Sequence, residues 1–292
     1  MLALPFAGCQ SAASAARQLT GALGEATVQG VPGDMRARGS DARLAGLTVL
    51  VTGASSGIGR AIAIAAAAAG ADVALTYQGN ERGVRATADE VTAAGRRAEV
   101  FRLDLADRGS IDALAEAAPK ALGRVDVWIN NAGADILTGR GAALSTVEKL
   151  DRLIAVDLRG TILASWRAAE LMKRQSNGGA IINMSWDHAV GGMEGTNPQM
   201  FSAVKGGISS FSRSLARSVA PRVRVNILAP GWVETAFGAT VDREYYRRVA
   251  EATPLKRWAT PEDVAKAAVF LASPDAAFLT GQTLMVNGGV VM

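Results

Sequence analysis

The sequence predicts an α/β protein, a single domain built on one doubly wound parallel sheet of about seven strands with helices on both faces. Three observations lead there. Short aliphatic and β-branched runs alternate with helical stretches of ten or more residues from Leu47 almost to the C-terminus. The first run enters a glycine-rich turn that opens directly into a helix. Successive helices stop at lone glycines, Gly70, Gly95 and Gly123, each followed closely by the next apolar run. Neighbouring strands joined through helices run parallel, and parallel strands are covered on both faces, so their sequences read as continuous apolar runs.

Taken in order, strand 47–51 leads through the glycine turn to helix 58–69. Strand 72–77, helix 81–94 and strand 97–103 follow, then helix 108–122 and strand 125–130. One long helix is expected over 146–174, strand 179–184 after it, and a loop at 185–199. Helix 201–219, strand 222–227, a loop with short helices over 230–256, helix 261–272 and a last strand at 283–287 complete the pattern, and the loop 236–256, with Phe237, Tyr245, Tyr246 and Trp258 nearby, is expected to shape a pocket as a lid. The domain is expected to span 46–292. Residues 1–45, rich in Ala, Gly, Ser and Arg with weak periodicity, read as a disordered or over-extended leader, with Met35 a natural start.

Composition narrows the function. Hydrophobic residues make up 49% of 292, enough for a sizeable core. No apolar run reaches the roughly 18–20 residues of a membrane span, so no membrane association is expected. Leu4 to Cys9 is too short, and lacks the positive flank, for an export signal. The single cysteine, Cys9, excludes an internal disulfide framework and fits a reducing, cytoplasmic location. A net charge of +4 without basic, aromatic-interleaved clusters argues against nucleic acid and permits anionic ligands such as phosphates. No metal site is expected.

The organising stretch is Thr52-Gly53-Ala54-Ser55-Ser56-Gly57-Ile58-Gly59. A strand, tight turn and helix N-terminus in this order present bare backbone N–H groups and the positive helix end to a phosphate. Gly53 permits the sharp exit from the strand, Gly57 removes a Cβ where a pyrophosphate would press, and Gly59 lets the helix pack close. Asp104 and the Asn130-Asn131-Ala132-Gly133 turn follow other strands and share the same rim of the sheet, where ligands of such sheets bind. By sequence alone Asp104 serves equally as a helix cap, and Asn130 and Asn131 as a turn closure.

With these motifs, together with Lys205, Asn226, Pro230-Gly231, Thr235, Pro254-Leu255-Lys256-Arg257, Thr280-Gly281-Gln282 and Val286-Asn287-Gly288-Gly289, residues 45–292 resemble the short-chain dehydrogenase/reductase family. Within it the chain is most similar to 3-oxoacyl-carrier-protein reductases and glucose-dehydrogenase-type members. The resemblance implies a Rossmann-type domain, a homotetramer or homodimer, and hydride transfer between a nicotinamide dinucleotide and a small carbonyl substrate, with an acyl group thioester-linked to acyl carrier protein as one candidate. It implies a cofactor held by Gly53, Ser55, Ser56, Gly57, Ile58, Gly59, Tyr77, Gln78, Asp104, Leu105, Asn131, Ala132, Gly133, Lys205, Pro230, Gly231, Val233 and Thr235. The end of the second strand, Thr76-Tyr77-Gln78-Gly79-Asn80, carries no acid to bind a ribose 2′-OH, and Arg82 is the nearest cation, which favours NADP(H) over NAD(H). Ser55 and Ser56 stand where NADP users often carry a basic residue, which keeps NAD(H) open.

The chemistry departs from the family pattern. The family's Tyr-x-x-x-Lys pair reads Phe201-Ser202-Ala203-Val204-Lys205, and Phe has no proton to give. Trp186 takes the place of the family's serine, with Ser185 one position earlier, and Asp157 stands at the family's asparagine. The loop from Trp186 to Phe201 is longer than the pattern and holds Asp187 and the chain's only histidine, His188. An imidazole titrating near neutrality makes His188 the best substitute donor, with Asp187 to tune it. Three readings follow: a reductase with a non-standard proton donor, a silent dinucleotide-binding protein, and a structural subunit pairing with an active paralogue through its long helices.

Overall fold

The computed structural model describes residues 42–292; residues 1–41 of the expected leader, with Cys9 and Met35, fall outside the described residues. The packed chain begins before residue 46. Leu44 is fully buried and its N–H donates to Ala69 O, so 42–45 belong with the domain rather than with the leader.

The elements run β1 (Thr48–Val51), α1 (Gly57–Ala68), β2 (Asp72–Tyr77), α2 (Glu81–Ala93), β3 (Ala98–Arg102), α3 (Arg108–Leu122) and β4 (Val127–Asn130). Then come a short α4 (Gly139–Ala142), α5 (Thr146–Leu153), a π-helical segment (Ile154–Gly160), α6 (Thr161–Arg174), β5 (Gly179–Met184), α7 (Thr196–Val219), β6 (Val223–Pro230), α8 (Arg243–Ala252), α9 (Pro261–Ala272) and β7 (Thr283–Val286). All seven strands are parallel, in the order β3-β2-β1-β4-β5-β6-β7. The order reverses between β1 and β4, and the crevice above that pair is where such sheets take ligands.

Alternation along the strands sorts the core into two layers. Val49 and Val51 of β1, Val127 and Ile129 of β4, and Ala180 and Ile182 of β5 face one layer, with the apolar sides of α1, α2 and α9. Leu50, Trp128 and Ile181 between them face the other, with α3, α6 and α7. Each fully buried Leu or Ile here contributes on the order of 1.5–3 kcal/mol. A buried polar network crosses the sheet: Trp128 Nε1 donates to Asn130 Oδ1, Asn130 Nδ2 to Ser165 Oγ and Asn183 Oδ1, and Asn183 Nδ2 to Ser212 Oγ. Asn130 is therefore a strut between β4, β5 and α6.

Two expected elements differ. The helix expected over 146–174 is three segments, because a π turn interrupts it at Ile154–Gly160. The wider turn sets Asp157 inward, 2% exposed, and Gly160 permits close approach, since a Cβ there would lie 2.7 Å from Leu105 O. The helix expected from 201 starts at Thr196, so Phe201 and Lys205 sit inside α7 rather than at its first turns.

Candidate active site

At the switch point the turn after β1 is braced against the turn after β4. Thr52 Oγ1 accepts from Asn131 N and Ala132 N, at 2.9 and 3.0 Å, and Asn131 Nδ2 donates to Thr52 O at 2.9 Å. Gly53 and Gly57 adopt φ of +68° and +54°, which a side chain resists. A Cβ on Gly59 would collide with Gly53 O and Asn131 Nδ2. The N-terminus of α1 has no side-chain cap at Ser56 and no acid in its first turn. Its amides are left for a ligand, and the local field suits an anion.

A groove of about 360 Å³ runs along this crevice. Gly53, Ser55 and Ser56 line one side, Tyr77, Gln78, Gly79 and Asn80 the end of β2, and Asp104, Leu105, Asn131, Ala132 and Gly133 the remainder. Asp104 does not cap α3; Asp107 does, accepting from Gly109 N and Ser110 N, while Asp104 Oδ1 accepts from Ala106 N in the groove wall. No carboxylate lines the end of β2, and Arg82 does not line the groove either.

The same glycine turn borders a second, larger cavity of about 510 Å³, within the range of small-molecule sites. Ile58, Lys205, Pro230, Gly231, Val233 and Thr235 line it, and a Cβ on Gly57 would lie 3.7 Å from Thr235 Cγ2. The expected cofactor residues thus divide between two adjoining spaces on one rim, with Gly57 and Gly59 shaping the turn between them. The uncapped α1 amides, the lack of an acid in the first turn of α1 and at the end of β2, and the three glycines of the turn fit a nicotinamide dinucleotide.

Around Lys205 the chemistry-bearing residues are tightly committed. Its Nζ lies 2.9 Å from Asp157 Oδ2, with the Lys205 side chain 12% and that of Asp157 2% exposed. Asp157 Oδ1 accepts from Ala134 N at 2.7 Å, and a Cβ on Gly133 would lie 2.8 Å from Asp157 Oδ2. Ser185 Oγ lies 2.8 Å from Ser209 Oγ and donates to Lys205 O at 3.0 Å, fastening the end of β5 to α7. Phe201, one turn before Lys205, presents its ring to the cavity and sits edge-on to Trp186, centroids 6.2 Å apart.

His188, expected as the substitute donor, is not among the residues lining the cavity. Asp187 and His188 form a pair, Nδ1 to Oδ1 2.8 Å, with the Asp187 side chain fully buried and its Oδ2 unpartnered. Neither residue lines the cavity. The imidazole instead stacks on Trp186, centroids 5.1 Å apart. The extra loop residues form a short 3₁₀ turn, Asp187–Ala189, that folds this pair against the wall rather than into the space.

Several lining residues were absent from the expected site. Leu137, Met193, Glu194, Asn197, Pro198 and Trp232 all border the cavity. Only Trp232 had a signal, its place directly after Pro230-Gly231; the others come from loops whose paths the sequence does not reveal. The lid-like stretch contributes as expected through Phe237, Tyr245 and Trp258. Tyr246 turns away, stacked on Trp258 with its hydroxyl donating to Glu234. Burial pushes the Tyr245 phenol above its ordinary range despite nearby Arg248, so it stays protonated at neutral pH.

Comparison with known proteins agrees with this geometry. A family profile described as "Enoyl-(Acyl carrier protein) reductase" matches residues 53–291. The 3beta-hydroxysteroid dehydrogenase 1 of Eggerthella lenta is 34% identical over 252 residues, 85% of this chain and 95% of that protein. The 3-oxoacyl-(acyl-carrier-protein) reductase FabG of Aquifex aeolicus is 36% identical over 253 residues, 85% of this chain and 98% of that one. A short-chain dehydrogenase from Burkholderia cenocepacia, solved in complex with NADP, is similar with a TM-score of 0.77 and 30% identity, covering 85% of this chain and 99% of that chain. Similarity of this extent takes in the glycine turn, the sheet and the Lys205 helix together, and the chain belongs to the short-chain dehydrogenase/reductase family.

Proposed function

We propose that the protein is an NAD(P)-dependent oxidoreductase acting on a carbon–oxygen or carbon–nitrogen double bond of a small, largely apolar substrate. The observation that carries this is the glycine turn bordering both spaces: Gly53, Ser55 and Ser56 on the polar groove, Ile58 on the apolar cavity. When bound, a nicotinamide dinucleotide supplies or accepts a hydride at carbon. The residues of the chain that would hold it are the α1 amides at its phosphates, Asp104 and Leu105 at its adenine end, and Lys205 with the Pro230–Thr235 segment at its nicotinamide end. NADP(H) is preferred over NAD(H), because the end of β2 offers no acid to repel a 2′-phosphate.

Phe201 occupies the position of the family's tyrosine and gives the cavity a ring without a proton. The groups lining the cavity that carry transferable protons include the Lys205 ammonium, the Ser185 hydroxyl and the Tyr245 phenol. Of these, Lys205 and Ser185 are engaged with Asp157, Ser209 and backbone. A carbonyl substrate therefore meets weaker acid assistance than in relatives with a tyrosine. An acyl group carried on acyl carrier protein is the alternative substrate suggested by the reductase relatives. Assembly as a homotetramer or homodimer is supported by half-exposed Trp166 and Ile154 on the long helical arm.

Calorimetric titration with NADPH and NADH, followed by nicotinamide absorbance with ketones, aldehydes, 3-oxoacyl thioesters and cyclic iminium salts, tests the reading. Micromolar binding with turnover on any of these supports it. Binding with no turnover on the whole panel favours the silent dinucleotide-binding protein, and absence of binding refutes both.

A further inference from the structure

The cavity at Lys205 is aromatic and, in ionisable groups, negative. Three of the chain's five tryptophans line it, Trp186, Trp232 and Trp258, together with Phe201, Phe237 and Tyr245. They form two connected sets. Trp186 meets Phe201 edge-on at 6.2 Å. Trp232 stacks with Phe237 at 6.2 Å, meets Tyr245 edge-on at 5.9 Å and lies 5.2 Å from Trp258. One of these rings already takes a cation: the Arg248 guanidinium lies 5.3 Å from the Tyr245 centroid, although Arg248 does not line the cavity.

The charges lining the space are two. Lys205 is positive but balanced by Asp157 at 2.9 Å. Glu194 is negative and forms no ion pair among the described residues. Electron-rich ring faces with one uncompensated carboxylate attract positive charge and repel anions.

We propose that this cavity recognises an organic cation, a ring-sized compound with a positively charged nitrogen, held over the aromatic faces with its charge toward Glu194, and that the reacting form is an iminium. The proposal rests on the oxidoreductase reading above and names its substrate class. It explains why the wall at Phe201 needs no hydroxyl. Reducing a ketone leaves an alkoxide that must be protonated, and an enzymatic acid is typically worth about 10²–10⁴ in rate. Reducing an iminium balances without a proton. Carbon gains the hydride, the π pair withdraws to nitrogen as its lone pair, the positive charge is cancelled, and the nicotinamide dinucleotide is the reductant that is oxidised. The same electrostatics disfavour an acyl chain delivered by an acidic carrier protein, since Glu194 lines the cavity and, among the described residues, the one cation lining it is Lys205, paired with Asp157.

The first test needs no cofactor. Calorimetry on the full chain compares phenyltrimethylammonium with its neutral isostere tert-butylbenzene and with the anion benzenesulfonate. The cation is expected to bind at least about tenfold more tightly than the neutral compound, and the anion more weakly than either. Glu194→Gln, at an exposed position, is expected to remove about fivefold of the cation's affinity and leave tert-butylbenzene unchanged. Equal binding of cation and neutral isostere, or a cation affinity indifferent to Glu194→Gln, overturns the proposal.

The second test adds NADPH and compares N-methyl-3,4-dihydroisoquinolinium with 1-tetralone, a ketone of similar shape, each against its rate without protein. Faster reduction of the iminium, with a rate unchanged in deuterated solvent, supports a reaction that takes no proton from the wall. Faster reduction of tetralone, or an iminium rate that slows in deuterated solvent, overturns the iminium assignment while leaving the oxidoreductase reading standing. Charge-selective binding with no turnover of either compound refutes the iminium as reacting form and upholds the cation site alone, while the oxidoreductase reading is decided by the wider panel.

Discussion

Lys205 and Asp157 form a buried ion pair, Nζ to Oδ2 2.9 Å, across the junction of α7 with the π segment. Asp157 spends its other oxygen on Ala134 N, so one carboxylate fixes both the lysine and the loop after β4. Removing it leaves a buried ammonium and a backbone N–H without partners. Asp157→Ala is expected to lower stability by about 3–5 kcal/mol. Asp157→Asn keeps an oxygen for Ala134 N and should lose less than half of that. Urea denaturation of both variants checks the difference.

Gly59 is the tightest point of the dinucleotide turn. Because a Cβ there meets Gly53 O and Asn131 Nδ2, Gly59→Ala must displace the turn that faces the phosphates. We expect a loss of about 1–3 kcal/mol in stability and undetectable NADPH binding by calorimetry. A variant that binds NADPH normally would mean that the turn does not hold the cofactor.

The cofactor preference proposed above rests on the end of β2. Placing a carboxylate in the groove by Gln78→Asp should weaken NADPH binding at least about tenfold and leave NADH binding equal or tighter. Tighter binding of NADH than NADPH by the unaltered protein would refute the preference.

His188 supports Trp186 from outside the cavity. His188→Ala should therefore raise KM through a looser wall while changing kcat by less than about tenfold, smaller than the loss of a general acid. A fall of kcat beyond that with KM unchanged would restore His188 as the donor.

Acid should loosen the N-terminus of α9. The Arg257 guanidinium beside Asp263, with the Thr260 backbone N–H, holds the Asp263 carboxyl below its ordinary value of 3.8. A pKa lower in the folded than in the unfolded chain gives stability that is present above the unfolded value and lost as pH falls through the folded one. The Tm should thus decline below about pH 4. Asp263→Asn should be less stable at neutral pH and show a shallower acid decline in a Tm-against-pH series.

The sequence by itself determined the parallel sheet, its order of elements and the rim that carries the site. Those follow from local signals: apolar runs of strand length, helical periodicity, and glycines where φ turns positive, as at Gly53, Gly70 and Gly123. It also pointed to residues that line the groove at the switch point, because backbone turns at strand ends need particular residues at particular spacings. Only the tertiary structure decided what the side chains do. The π turn that swings Asp157 inward arises from packing against Leu105 and Lys205, contacts distant in sequence and invisible to a 3.6-residue period. His188 lay beside the right residues in the chain, yet its pairing with Asp187 and its stacking on Trp186 turned it out of the cavity. Glu194 and Trp232 entered the cavity from loops, where direction is set by long-range contacts rather than by local propensity. The charge and shape of the space at Lys205 are sums over residues from several separate segments, which is why they could be read only once the chain was folded.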